Sequence, residues 1–141
     1  MIDSSNAVFA DTAFWIALVV RRDRYHAIAQ ACVDRMAKRM TTTDAVLLET
    51  ANALSPLSLR KHAVRLVTRL RQQSEVEIVA FDDLLLQRAW QMYCDRADKS
   101  WSLTDCISFI VMQDRNIQSA LTSDHHFEQA GFQILLRADR P

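Results

Sequence analysis

The chain reads as an α/β protein: three layers, α/β/α, around a central five-stranded parallel sheet. Three observations predict this. Several apolar or β-branched runs, such as Val8 to Ala10 and Val76 to Phe81, have the length of strands rather than helices. Longer segments with apolar residues at helical spacing separate every pair of such runs, which implies parallel connections and a sheet covered on both faces. The length, 141 residues with half of them hydrophobic, suits a single domain over 1–141 with a sizeable core.

The elements follow in order. Ala7 to Val20 is too long an apolar stretch for one strand, so it divides near Asp11-Thr12 into a buried strand, Val8 to Ala10, and a helix, Ala13 to Val20. Arg21 to Arg24 is a solvated turn. Tyr25 to Met36 carries Ile28, Ala29, Cys32, Val33 and Met36 at helical spacing, which predicts the second helix. Arg39 to Thr43 is short and β-branched, a second strand. Thr43 or Asp44 caps the next helix, with Leu47, Leu48, Ala51 and Leu54 as its apolar face and Glu49 roughly opposite. Ser55-Pro56 ends it.

Ser58 is expected to cap a further helix to about Gln73, with Leu59, Ala63, Leu66, Val67 and Leu70 facing inward. Val76 to Phe81 is the third strand. Asp82 or Asp83 caps a helix from about Leu84 to Cys94, followed by a polar loop. Leu103, Cys106, Ile107, Ile110 and Val111 fit the amphipathic helix template throughout. Gln118 to Thr122 is the fourth strand, and Ser123 or Asp124 caps a short helix. Gly131, the only glycine, is expected just past the end of that helix, before a fifth strand from Phe132 to Leu136.

The bulk composition excludes several classes. Lys+Arg and Asp+Glu are both 17, so net charge gives no general attraction to nucleic acid or membranes. Three cysteines without metal-ligand spacing argue against a disulfide scaffold or a zinc ribbon and for a reducing, cytoplasmic setting. The first residues lack the basic region of a signal peptide. No apolar run reaches the roughly 18 residues of a membrane span. A single glycine rules out a glycine-rich phosphate loop.

Four acids stand where strands end or helices begin: Asp11 after strand one, Glu49 two turns beyond strand two, Asp105 opening the long apolar helix, and Asp124 after strand four. In a parallel sheet these places share one end, the end where ligands gather. Converging carboxylates resist joint ionisation unless a cation accompanies them. Hard oxygen donors suit Mg²⁺ or Mn²⁺ rather than zinc. Such an ion can bind a phosphoryl oxygen, activate water and stabilise a leaving oxygen, the needs of phosphodiester hydrolysis. Each acid also has a plainer reading. Asp11 and Asp124 suit N-cap positions, Ser102-x-x-Asp105 resembles a capping box, and Glu49 suits a solvated helix face. His125-His126 lacks a third ligand at useful spacing. Lys61, Arg65 and Arg69 form a basic stripe that can touch phosphate or merely face solvent, and Trp101 can stack a base or pack.

The segments Phe9-Ala10-Asp11-Thr12-Ala13-Phe14, Thr43 to Glu49, Leu103-Thr104-Asp105-Cys106 and Leu121 to Phe127, with Ala130-Gly131-Phe132, resemble the PIN-domain ribonucleases, in particular VapC-type toxins of bacterial toxin–antitoxin pairs. The resemblance spans nearly the whole chain. It implies strand order 3-2-1-4-5 and a Mg²⁺- or Mn²⁺-dependent endoribonuclease. Asp11, Glu49, Asp105 and Asp124 would be the acidic, metal-binding set, with Thr12 and Thr104 supporting them. It also implies an RNA substrate, a homodimer and a small antitoxin partner. The alternatives are a non-catalytic module of the same fold and a phosphohydrolase with Asp11 as nucleophile. Enzymes of the latter kind commonly carry another Asp two residues on, where this chain has Ala13.

Overall fold

The computed structural model describes residues 7–35 and 39–137. The expected end of the second helix at Met36 lies outside the described residues. The elements are β1 (Val8–Ala10), α1 (Thr12–Val19), α2 (His26–Arg35), β2 (Met40–Thr43), α3 (Asp44–Ala53), α4 (Leu57–Gln72), β3 (Val76–Val79), α5 (Asp83–Asp95), α6 (Leu103–Asp114), β4 (Ser119–Leu121), α7 (His125–Gln129) and β5 (Gln133–Ile134). The sheet is five-stranded in the order β3-β2-β1-β4-β5, and every pairing is parallel.

The central position of β1 follows from its residues. Val8, Phe9 and Ala10 are essentially without exposure, as a strand covered on both faces requires. β2 lies on one side and β4 on the other, so the direction of winding reverses at β1. The loops leaving β1 and β4 therefore part at their carboxyl ends and leave a crevice between them. Asp11 and Thr122 stand on its two sides.

A chain of aromatic rings fixes the helices that border the crevice. Phe109 of α6 meets Trp101 and Phe127 edge-on, each at 4.9 Å between centroids, and Phe127 reaches Phe9 of β1 at 6.3 Å. Such pairs add about 0.5–1.5 kcal/mol each beyond the area they bury. Phe109 and Phe127 are fully buried, so α6 and α7 are tied to the sheet near their functional ends.

The sequence pattern departs from the structure in instructive places. Helix α4 begins at Leu57 with Pro56 at its cap position, not at Ser58. The fixed φ of proline, here −51°, sets the entry angle that a capping side chain would otherwise set. Helix α3 buries Val46, Leu47 and Thr50 and leaves Leu48 65% exposed, so its inner face is turned from the expected one. The Thr50 hydroxyl makes this possible by donating to the Val46 carbonyl at 2.8 Å, which removes the cost of burying it. Helix α6 is buried from Asp105 to Met112 rather than on one face, because α5 covers its outer side. Strands three to five are shorter than their apolar runs. Gly131 (φ 97°) ends α7 as expected: the Phe132 amide bonds to the Phe127 carbonyl and the Gly131 amide to that of Glu128, a Schellman arrangement. Asn116 (φ 53°) ends α6 in the same way, with bonds from Ile117 to Met112 and from Asn116 to Gln113.

Candidate active site

Asp11 is the residue that a capping role fails to explain. It occupies the N-cap position of α1 with extended backbone, yet its side chain makes no capping hydrogen bond. Its carboxylate instead accepts from the Thr122 hydroxyl at 2.9 Å, a contact across the crevice between residues 111 apart in sequence. The side chain is almost fully buried. Burial pushes the Asp11 carboxyl up to about 7; the charges of Asp105 and Glu49 push the same way, while the Thr12 amide and the Thr122 hydroxyl pull it back. Three of the four predicted acids thus lie within electrostatic reach of one another.

Asp105 both caps and faces the crevice. Its backbone N–H donates to the Ser102 hydroxyl at 3.0 Å, and its Oδ2 accepts from the Ser102 amide at 3.2 Å, a complete capping box. The same Oδ2 lies 3.1 Å from His126 Nδ1. Burial raises the Asp105 carboxyl above the ordinary range, and the charge of Asp124 adds to the rise. Asp124 caps α7, accepting from the His126 amide at 2.9 Å, and its own amide donates to Thr122 at 3.0 Å. Thr122 therefore serves two acids at once. Glu49 is exposed on α3, and the Thr12 hydroxyl holds it at 2.5 Å.

Two of the predicted acids, Asp105 and Asp124, are therefore both capping residues and members of the cluster. Asp105 and Asp124 do cap their helices, and Thr43 rather than Asp44 caps α3, its hydroxyl accepting from the Val46 amide at 3.0 Å. Capping uses one oxygen edge and leaves the cluster intact. Two buried carboxyls with raised pKa values, flanked by two more acids, form a donor set of hard oxygens that suits a divalent cation such as Mg²⁺ or Mn²⁺.

The other expected residues divide. Thr12 contacts Glu49 as described. Thr104 is half-buried and lines a groove of about 660 Å³ beside Glu49, between α3 and α6. Lys61, Arg65 and Arg69 are exposed along α4, and Arg65 and Arg69 line a different hollow, bounded by α1, α2 and α4. Trp101 is buried, donates its indole N–H to Gln129 at 3.0 Å and carries the Arg96 guanidinium over its ring. That environment is one of packing.

Three residues of the site are not singled out by the sequence pattern. Thr122 has a visible signal, a hydroxyl between a strand and an acid. Arg71 lines the groove beside Glu49 and lies 3.9 Å from Asp44. His126 corrects the view that the histidine pair lacks a third ligand: Asp105 and Asp124 supply carboxylates beside it.

A family model described as PIN domain matches residues 8–133. The chain belongs to the PIN-domain family. The order 3-2-1-4-5 expected from the resemblance is the one observed. A curated PIN relative, the 23S rRNA-specific endonuclease VapC20 of Mycobacterium tuberculosis, is 32% identical over 126 residues, covering 89% of this chain and 95% of its own. The crystal structure of VapC20, described as a Sarcin-Ricin loop cleaving toxin, superposes with a TM-score of 0.82 at 29% identity, over 89% of this chain and 95% of that one. FitAcB from Neisseria gonorrhoeae shares the fold at a TM-score of 0.66 and 16% identity, over 91% of this chain and 96% of that one. So does VapBC2 from Rickettsia felis, solved bound to a DNA fragment from their promoter, at a TM-score of 0.62 and 11% identity, with 91% and 96% covered. No helix among the described residues is long and apolar enough to cross a membrane.

Proposed function

We infer that this chain is a VapC-type PIN endoribonuclease, a hydrolase of RNA phosphodiesters, and that its activity depends on Mg²⁺ or Mn²⁺. The observation that carries the metal site is Asp11: a buried carboxylate at a cap position that does not cap, held by Thr122 and set beside Asp105 and Glu49. Asp11 and Asp105 are the principal ligands, and Asp124 assists them. When bound, the cation supplies Lewis-acid stabilisation of the phosphoryl oxygens and lowers the pKa of a water. Glu49, more exposed and oriented by Thr12, steers the attacking water. Thr122 fixes the Asp11 carboxylate and the Asp124 backbone together, so the two acids move as one unit. The Ser102 box holds Asp105 in the rotamer that faces the crevice.

The substrate class follows from VapC20, whose name specifies 23S rRNA. The basic stripe Lys61, Arg65 and Arg69 is the proposed grip on the RNA backbone. The setting is cytoplasmic. The partners are a small antitoxin that places an Arg or Lys near Asp11 and Asp105, and a second copy of the chain. Exposed Leu48, Phe81, Trp90 and Tyr93 provide apolar surface for such contacts.

The test is incubation of the purified chain with intact ribosomes and with isolated rRNA, followed by mapping of new RNA ends. Discrete cleavage with Mg²⁺ or Mn²⁺ and none with chelator is expected. Intact RNA in the presence of either ion would favour the non-catalytic module. Coexpression with the neighbouring reading frame tests the antitoxin: a stable complex that suppresses cleavage is expected.

A further inference from the structure

The acids crowd one end of the sheet, and unpaired cations gather toward the other. A hollow of about 630 Å³ lies between α1, α2 and α4. Met40 and Val76, the paired first residues of β2 and β3, line it, which sets it toward the amino end of the sheet. Helix α1 starts at the acid crevice, and its last residues, Leu18 and Val19, reach the hollow. The length of that helix separates the two places by about 12 Å.

The charges around the hollow are of one sign. Arg65 and Arg69 stand one turn apart on α4, and Arg21 lines the same space from just beyond α1. No Asp or Glu among the described residues lines it. No salt bridge among the described residues involves Arg21, Arg65 or Arg69. Like charges one turn apart repel. The carboxyl ends of α1 and α4 offset part of that repulsion, and a bound anion would offset the rest. The kind of anion follows from the walls. Guanidinium groups grip phosphate through paired hydrogen bonds. Trp15, the only Trp, Tyr or Phe among the described lining residues, is 2% exposed, so a base finds no ring to stack on. The hollow therefore suits a sugar–phosphate backbone rather than a base.

We propose that Arg21, Arg65 and Arg69 form an RNA-backbone exosite: a two-walled cradle for substrate phosphates several nucleotides away from the scissile bond. The proposal rests on the ribonuclease reading above. To the α4 stripe it adds a second wall, Arg21, and a place remote from the acids. A duplex strand carries one phosphate per roughly 3.4 Å of axis, so about 12 Å corresponds to about four nucleotides. Backbone contacts position RNA without reading its sequence, so choice of the cut stays with the crevice.

The first experiment is fluorescence anisotropy of an oligouridylate of about twelve nucleotides, in chelator so that binding is read without cleavage. Arg21→Gln should weaken binding about fivefold. The triple change Arg21→Gln, Arg65→Gln, Arg69→Gln should weaken it about a hundredfold and lower the salt slope by about two units. Arg60→Gln, which removes an exposed charge from α4 outside the hollow, should do neither. The three arginines are exposed, and thermal melts check that the variants keep the fold. The second experiment is cleavage with Mn²⁺ of a mapped RNA substrate and of the same RNA trimmed to within about three nucleotides of the cut. The parent should prefer the longer RNA about tenfold, chiefly through KM, and the triple variant should lose the preference. Binding indifferent to Arg21→Gln, or a length preference that survives the triple change, overturns the proposal and leaves the nuclease reading standing. Variants that lose an oligoglutamate peptide but keep the RNA would also overturn it and assign the hollow to an acidic protein. A parent that holds the oligomer through these arginines yet cuts no RNA overturns the nuclease reading and not the cradle.

Discussion

Replacing Asp11 with Asn should make the protein more stable at neutral and alkaline pH in the absence of metal. The Asn side chain keeps an oxygen to accept from Thr122 and removes the buried charge. Burial moves the Asp11 carboxyl from 3.8 to about 7 on folding. A shift of about three units corresponds to about 4 kcal/mol at most. The sign follows from linkage: the folded state binds the proton more tightly, so the term is harmless below the unfolded value. It becomes progressively destabilising as pH rises from about 4 to about 7. Urea unfolding of parent and Asp11→Asn in chelator should therefore show a gap of about 2–4 kcal/mol at pH 8 that shrinks below about 1 kcal/mol at pH 4. In a thermal scan the alkaline gap corresponds to roughly 10 °C. Mn²⁺ at about 100 times its Kd should return about 2.7 kcal/mol to the parent and close most of it. An Asp11→Asn protein no more stable than the parent at pH 8, or a gap that does not change with pH, would mean that the buried Asp11 charge does not destabilise the fold.

Further outcomes are expected elsewhere. Thr122→Val should lower Mn²⁺ affinity at least about tenfold by calorimetry, because one hydroxyl orients both Asp11 and Asp124. Replacing Lys61, Arg65 and Arg69 together with Gln should weaken binding to unrelated RNAs alike and flatten the salt dependence, by about one unit of slope for each phosphate no longer neutralised. An unchanged slope in filter-binding assays would return the stripe to a solvated face. Trp101→Ala should cost about 3–5 kcal/mol in urea unfolding, while Trp101→Phe leaves RNA affinity unchanged, as a packing residue requires.

Those parts of the site that depend on local order are legible in the sequence. Asp11 and Asp105 stand next to apolar runs, so an acid at the end of a buried strand or the start of a buried helix is conspicuous. Val8 to Ala10 is legible for the same reason. The Thr122–Asp11 contact is not, because it exists only once β4 pairs with β1 and brings together residues 111 apart, and the His126–Asp105 contact is not, because it needs α7 packed beside the start of α6. The inner face of α3 is hidden because Thr50 satisfies its hydroxyl within the helix, so a polar residue enters the core and the periodicity of apolar residues points elsewhere. The full burial of α6 depends on α5 lying across it, and Asp105 and Ser108 break the apolar pattern that would announce it. Capping and convergence look like rival roles for the acids when only the sequence is in view. In Asp105 and Asp124 one side chain does both, because the cap occupies only part of a carboxylate.

The most direct measurement of the central claim is single-turnover cleavage of an RNA substrate as Mn²⁺ is titrated into chelator-treated protein, for the parent and for Asp11→Asn. The parent should show no cleavage without the ion and a rate that saturates with it, and Asp11→Asn should lose at least about a thousandfold at every concentration, equivalent to about 4 kcal/mol of transition-state stabilisation. Cleavage by the parent that is indifferent to chelator, or an Asp11→Asn rate equal to the parent's, would contradict that claim.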